Sequence, residues 1–110
     1  MNLAIWLERT ALKHPNREAL FLGSECIGKY KDFWRAACAL RIHLEKEGIK
    51  RGDRVAVYMA NCPEFLVAFY AIWSMGAVIV PINYKLHMRE VIWILDNAEC
   101  WYVLSDAVLS

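Results

Sequence analysis

The string with the most chemical promise in this chain is Gly23-Ser24-Glu25-Cys26-Ile27-Gly28-Lys29-Tyr30, which spells G-x-x-x-x-G-K between an apolar run and a helix start. In a phosphate-binding loop the glycines let backbone N–H groups cradle phosphates, the lysine reaches them, and a following Ser or Thr hydroxyl binds Mg²⁺. Tyr30 stands where that short hydroxyl belongs, and its ring is too long to put an oxygen there. Val103-Leu104-Ser105-Asp106 would loosely supply an acidic residue after a strand. The competing structural reading is a β-hairpin running into a helix, and the same residues carry both readings. A small nucleotide-binding domain using Gly28 and Lys29 therefore stands as an alternative expectation.

The remaining reactive types point away from chemistry. Cys26, Cys38, Cys62 and Cys100 include no C-x-x-C pair, so they read as small core hydrophobes in a reducing, cytoplasmic compartment, not as zinc ligands or a redox couple. His14, His43 and His87 fall in separate elements with no acidic or sulfur neighbour at ligand spacing, and are expected at the surface or at helix caps. No metal is expected. Arg51-Gly52-Asp53 has the composition of a cell-adhesion tripeptide, but here it reads as a turn into the strand beginning at Arg54. The five tryptophans, Trp6, Trp34, Trp73, Trp93 and Trp101, sit beside other apolar residues and are expected in the core or in a hidden interface, not on a stacking platform.

The elements that must hold these residues follow from hydrophobic period and punctuation. Asn2 caps a helix whose apolar side is Leu3, Trp6, Leu7 and Ala11 and which stops before Pro15. Ala19–Leu22 and Cys26–Lys29 are short strands around a Gly23-Ser24-Glu25 turn. Lys31–Glu47 carries Phe33, Ala37, Leu40 and Leu44 on one helical face and ends at Gly48. A strand at Arg54–Met59 leads through Asn61-Cys62-Pro63 to a helix at Glu64–Met75 that is apolar nearly all round and should be covered on both sides. A strand at Ala77–Pro81, a helix at His87–Ala98 and a strand at Trp101–Leu104 complete the alternation. Strands separated by helices imply parallel pairing through right-handed crossovers, hence an α/β layer with an N-terminal hairpin.

The uncharged stretch from Phe65 to Tyr84 is long enough to cross a membrane. Gly76, Pro81 and the β-branched residues between them favour a helix, a turn and a buried strand instead. Thirteen Lys plus Arg against 12 Asp plus Glu leave a net charge of +1, which gives no electrostatic case for nucleic acid. Hydrophobic residues make up 58% of the 110. That is a surplus of roughly ten over an average domain, and it excludes disorder. Parallel sheets are normally covered on both faces, yet few helices are available, so this reads as an incomplete piece of a larger mainly parallel layer.

Taken in order, Gly52-Asp53-Arg54-Val55-Ala56-Val57, Asn61-Cys62-Pro63-Glu64-Phe65, Gly76-Ala77-Val78-Ile79-Val80-Pro81-Ile82-Asn83 and Ile94-Leu95-Asp96-Asn97 resemble the amino-terminal portion of the AMP-forming acyl-CoA synthetases. Those enzymes belong to the adenylate-forming superfamily, and the likeness leans toward its fatty-acyl and aryl-acid CoA ligases. Asn2-Leu3-Ala4, Leu7-Glu8-Arg9, Pro15 and Tyr30 fit the same pattern, so the resemblance covers essentially residues 1–110. Lys29 departs from it where the family has Thr, and His87 where it has a Ser or Thr cap. Each change weakens a helix cap by about 1 kcal/mol.

The resemblance implies a two-step ligase of fatty acid metabolism. A carboxylate attacks the α-phosphate of MgATP to give an acyl adenylate and pyrophosphate, and the thiol of coenzyme A then displaces AMP. It also implies that the family's Ser/Thr/Gly-rich phosphate loop, nucleotide contacts and catalytic lysine lie beyond Ser110. The expected site inventory for residues 1–110 is accordingly no catalytic, no cofactor-binding and no metal-binding residue, in a partial N-terminal domain that ends ahead of the phosphate loop. ATP, Mg²⁺ and coenzyme A are implied for the longer enzyme only. The expected partner is the remainder of such an enzyme, or a copy of this chain, through exposed apolar faces, with no nucleic acid and no membrane span; peripheral membrane contact stays open. A stand-alone interaction module that pairs with a full-length relative is the other alternative.

Overall fold

A computed structural model describes residues 3–22, 24–60 and 63–105. Asn2, Gly23, Asn61, Cys62 and Asp106, named above as caps, turn or motif residues, lie outside that set. The chain runs α1 (Leu3–Lys13), β1 (Glu18–Leu22), β2 (Glu25–Lys29), α2 (Tyr30–Lys46), β3 (Arg54–Met59), α3 (Pro63–Ser74), β4 (Val78–Asn83), α4 (Met88–Asn97) and β5 (Tyr102–Ser105). The α/β class, the N-terminal hairpin and the parallel layer all agree with the sequence reading.

β1 and β2 pair antiparallel as a two-stranded sheet, and the second sheet has the parallel order β4-β3-β5. The step from β3 to β4 goes one way across this sheet and the step from β4 to β5 goes back past β3. Right-handed crossovers in opposite directions place their helices on opposite faces. The core divides accordingly, because alternate residues of a strand face opposite sides. Val55, Val57 and Met59 pack with Leu44, Ala68 and Ile72 on the side of α2 and α3. Ala56 packs with Ile82 and Val91 on the side of α4. A third cluster, Leu7, Leu20, Phe33 and Ala37 with Val67 and Tyr70 against it, ties α1 and the hairpin to α2 and the far side of α3. α3 is thus covered on two sides, as its composition required.

One boundary needs correction. Pro81 does not end β4, which continues to Asn83 with Val57 opposite Pro81 and Met59 opposite Asn83. β4 is an edge strand, and an edge tolerates a residue that cannot donate on its outer side.

Three helices end in one way. After α2, α3 and α4 come Gly48, Gly76 and Glu99, with φ of +96°, +74° and +55°. In each case the next N–H reaches back to the third-last helical carbonyl: Ile49 to Leu44 at 3.0 Å, Ala77 to Ile72 at 3.2 Å and Cys100 to Leu95 at 3.0 Å. These are Schellman caps, each with its accompanying apolar pair. Glu99 is the exception, since a left-handed conformation costs a residue with a Cβ about 1–2 kcal/mol. Its carboxylate lies 3.7 Å from Arg54 in an exposed pair, which offsets little of that. Glu99→Gly is therefore expected to stabilise the chain by about 0.5–1 kcal/mol, read as a raised urea midpoint.

Candidate functional site

The hairpin places most of the phosphate-loop-like string. Gly28 and Lys29 are not in a loop at all: both belong to β2, with Gly28 opposite Leu20 and Lys29 opposite Glu18. Gly28 is glycine for packing, because a Cβ there would sit 3.3 Å from Cδ1 of the buried Leu20. Lys29 is the N-cap of α2. Its backbone N–H donates to the Asp32 carboxylate at 3.0 Å, while its ammonium has no lone pair with which to cap a helix N–H. A strand in ladder pairing does not present successive N–H groups to one point as a phosphate loop does.

Arg51-Gly52-Asp53 is a turn, as expected. Asp53 accepts from the Lys50 N–H at 2.7 Å and its own N–H donates to the Lys50 carbonyl at 3.0 Å. Gly52 has φ +86° and its N–H donates to the Gly76 carbonyl, stapling this turn to the end of α3.

The histidines stay apart. His14 closes α1 through its backbone N–H to Thr10. His87 caps α4 with no side-chain hydrogen bond, matching the weak cap expected for a residue other than Ser or Thr. His43 alone meets other functional groups: its Nε2 is 3.4 Å from the Tyr102 hydroxyl and 3.7 Å from the Glu47 carboxylate. Nothing in the sequence signals this cluster, because 59 residues separate His43 from Tyr102. It is solvent-exposed and ties the end of α2 to β5. Among the described residues no three His, Cys, Asp or Glu side chains come together as a metal site would require.

Cys26, Cys38 and Cys100 are unpaired and half-buried, not sealed in the core; Cys62 lies outside the described residues. Of the two places expected for the tryptophans, core or hidden interface, the core does not hold three of the five. Trp6, Trp93 and Trp101 are 50%, 66% and 58% exposed, and Trp34 and Trp73 are half-buried. Trp6, Trp93 and Trp101 sit on sides of their elements that the described residues leave half or more exposed.

Burial pushes up the thiols of Cys38 and Cys100 and the phenols of Tyr70 and Tyr102, with Glu47 adding to the shift at Tyr102. Each group is neutral when protonated and holds its proton more tightly in the folded chain. Their contribution to stability is present below the ordinary thiol and phenol ranges and is lost as pH rises through the raised folded values. The urea midpoint is expected to fall between about pH 8 and about pH 11 as these groups titrate.

At the carboxyl ends of β3 and β4 lies a shallow apolar hollow of about 300 Å³, lined by Met59, Phe65, Pro81, Ile82, Asn83 and Tyr84. Asn83 Oδ1 already accepts from the Lys85 N–H, and no polar or charged side chain is buried among the described residues. Among the described residues this hollow is lined by apolar side chains with Asn83 and Tyr84 as its polar members.

The family described as AMP-binding enzyme matches residues 7–109. The chain belongs to that family. Crotonobetaine/carnitine–CoA ligases of Escherichia coli and Escherichia fergusonii are 40% identical over 60 residues, covering 54% of this chain and 12% of those enzymes. A Mycobacterium tuberculosis fatty acyl CoA synthetase superposes with a TM-score of 0.89 at 34% identity over 96% of this chain and 21% of that one. The N-terminal subdomain of Klebsiella oxytoca NpsA gives 0.86 at 28% identity over 99% of this chain and 28% of that one. This member of the AMP-binding enzymes thus spans a small part of the length of each relative, and the resemblance to adenylate-forming acyl-CoA synthetases read from its sequence holds.

Proposed function

We propose that the whole protein to which this segment belongs joins a fatty or aryl carboxylic acid to coenzyme A through an acyl adenylate, with ATP and Mg²⁺, in the cytoplasm. Residues 1–110 then form part of its N-terminal domain ahead of the phosphate loop, and supply framework without reacting groups. The observation that carries this is the family match over residues 7–109, in a chain whose one phosphate-loop-like string lies in a hairpin strand. The free cysteines are in keeping with a reducing compartment. When ATP is bound by such an enzyme it activates the carboxylate, a poor electrophile at neutral pH, by giving it a good leaving group. The part of this chain is mechanical: β3 and β4 end together at the hollow beside Phe65, and the Schellman turns fix where each strand begins.

The test is direct. Purified chain incubated with MgATP, a fatty acid and coenzyme A is expected to form no thioester above the protein-free control, measured by mass spectrometry of the CoA pool. Thioester formation by this chain alone would overturn the assignment of framework without chemistry. ATP affinity that disappears in Lys29→Ala would restore the nucleotide-loop alternative.

A further inference from the structure

α4 is apolar on both its inner and its outer side. Inward, Val91 packs on Ala56 and Ile82, with Ile94 and Leu95 against them. Outward, Arg89, Ile92, Trp93 and Asp96 follow the i, i+3, i+4, i+7 spacing of a single helical face. All four side chains are exposed, Ile92 by 52% and Trp93 by 66%, and Met88 beside them by 61%. Two large apolar residues thus hold the middle of an open stripe, with a cation at one end and an anion at the other.

Those two charges are placed against the needs of their own helix. A helix favours acidic groups near its N-terminus and basic groups near its C-terminus. Glu90 in the first turn obeys this, but Arg89 is the second residue of α4 and Asp96 the second-last. About two turns separate Arg89 from Asp96, too far for the two to pair with each other. Neither enters a salt bridge with any other of the described residues.

A twofold axis gives both charges a partner. In an antiparallel pair of α4 helices centred between Ile92 and Trp93, Arg89 meets the partner's Asp96, Asp96 meets the partner's Arg89, and Ile92 lies on the partner's Trp93. One patch then complements itself, as a twofold interface must. Each charge also sits at the favourable end of the partner's helix. A lipid surface fits less well, because Asp96 and Glu90 would face an anionic headgroup layer.

We propose that this outer face of α4 is a self-recognition surface, on which two copies of the chain associate about a twofold axis. The inference rests on α4 and on neither adenylation nor thioester chemistry, so it can fail while the proposed function stands. A contact one helix wide is smaller than a standard protein interface, so dimer and monomer exchange and concentration selects between them.

The test is analytical ultracentrifugation of the 110-residue chain over a concentration series. A monomer–dimer equilibrium is expected, weakened by added salt. Arg89→Asp and Asp96→Arg each bring like charges together twice across the axis and weaken the dimer by roughly tenfold or more. Mixing those two variants restores association as a one-to-one heterodimer, because every pair across the axis is then opposite in sign. The double variant Arg89→Asp/Asp96→Arg restores the homodimer for the same reason. Monomer alone up to about 1 mM chain, charge reversals without effect, no recovery in the mixture, or binding to anionic phospholipid vesicles in place of a second copy each overturns the proposal. The substituted side chains are exposed, and the double variant reads the pairing even where one single variant fails to fold.

Discussion

Val57→Asp is expected to eliminate the folded chain at neutral pH. Val57 is fully buried in the middle of β3, opposite Pro81 of β4 on one side and Leu104 of β5 on the other. Its neighbours are Leu44, Ala68 and Ile72, and the described residues bury no polar side chain that could receive a carboxyl group. Losing the valine's burial costs about 1.5–3 kcal/mol, and placing an unpartnered polar group there costs roughly 2–7 kcal/mol more. A chain of 110 residues has a net stability on the order of 5–15 kcal/mol, and an under-covered one lies at the low end. β3 is also the strand that joins the other two, so its loss separates β4 from β5. Amide protection across β3, β4 and β5 and the near-ultraviolet signal of the aromatics should vanish together. Val103→Asp, on the open edge, should leave both in place. Survival of β3 protection in Val57→Asp would mean that the centre of the sheet is wetter than its packing indicates.

Much of this layout was legible in the sequence, for reasons that differ by element. Helix ends were readable where glycine marks them: Gly48 and Gly76 supply the left-handed residue of their caps. Glu99 does the same work with a side chain that gives no such signal, so the end of α4 had to be placed by the run of its apolar period. β3 was readable to the residue because Gly52 and Asp53 turn the chain at one end and a short apolar run from Val55 to Met59 follows. Pro81 misled, since its meaning depends on whether the strand is central or at an edge, and strand order is set by pairings distant in sequence. Gly28-Lys29 was legible both as a hairpin strand and as a near phosphate loop, and the register opposite Leu20 and Glu18 is that of the strand. Trp93 and Trp101 expose the limit of hydropathy itself, which marks a side chain that favours burial but not whether this chain provides the cover.

α3 is where that last distinction has its largest measurable consequence. Its sequence, Pro63 to Ser74, is apolar on nearly every side, so no period selects a buried face. The packing does: Ile72 is fully buried between α2 and the sheet, whereas Leu66, on the same helix, is 47% exposed. Ile72→Ala removes the side chain from a filled site and is expected to cost about 2–5 kcal/mol, the transfer term plus the cavity left behind. Leu66→Ala should cost no more than about 0.5 kcal/mol, the usual bound for a surface position. Urea denaturation of both variants against the parent chain measures the difference, and equal losses would sink the assignment of faces. The comparison also reads out missing cover. If polypeptide from the rest of an AMP-binding domain packs over the open side of α3, the cost of Leu66→Ala rises toward that of a core position in the longer protein while the cost of Ile72→Ala stays where it is. A side chain whose worth depends on the length of chain around it is what a framework segment with unfinished faces requires.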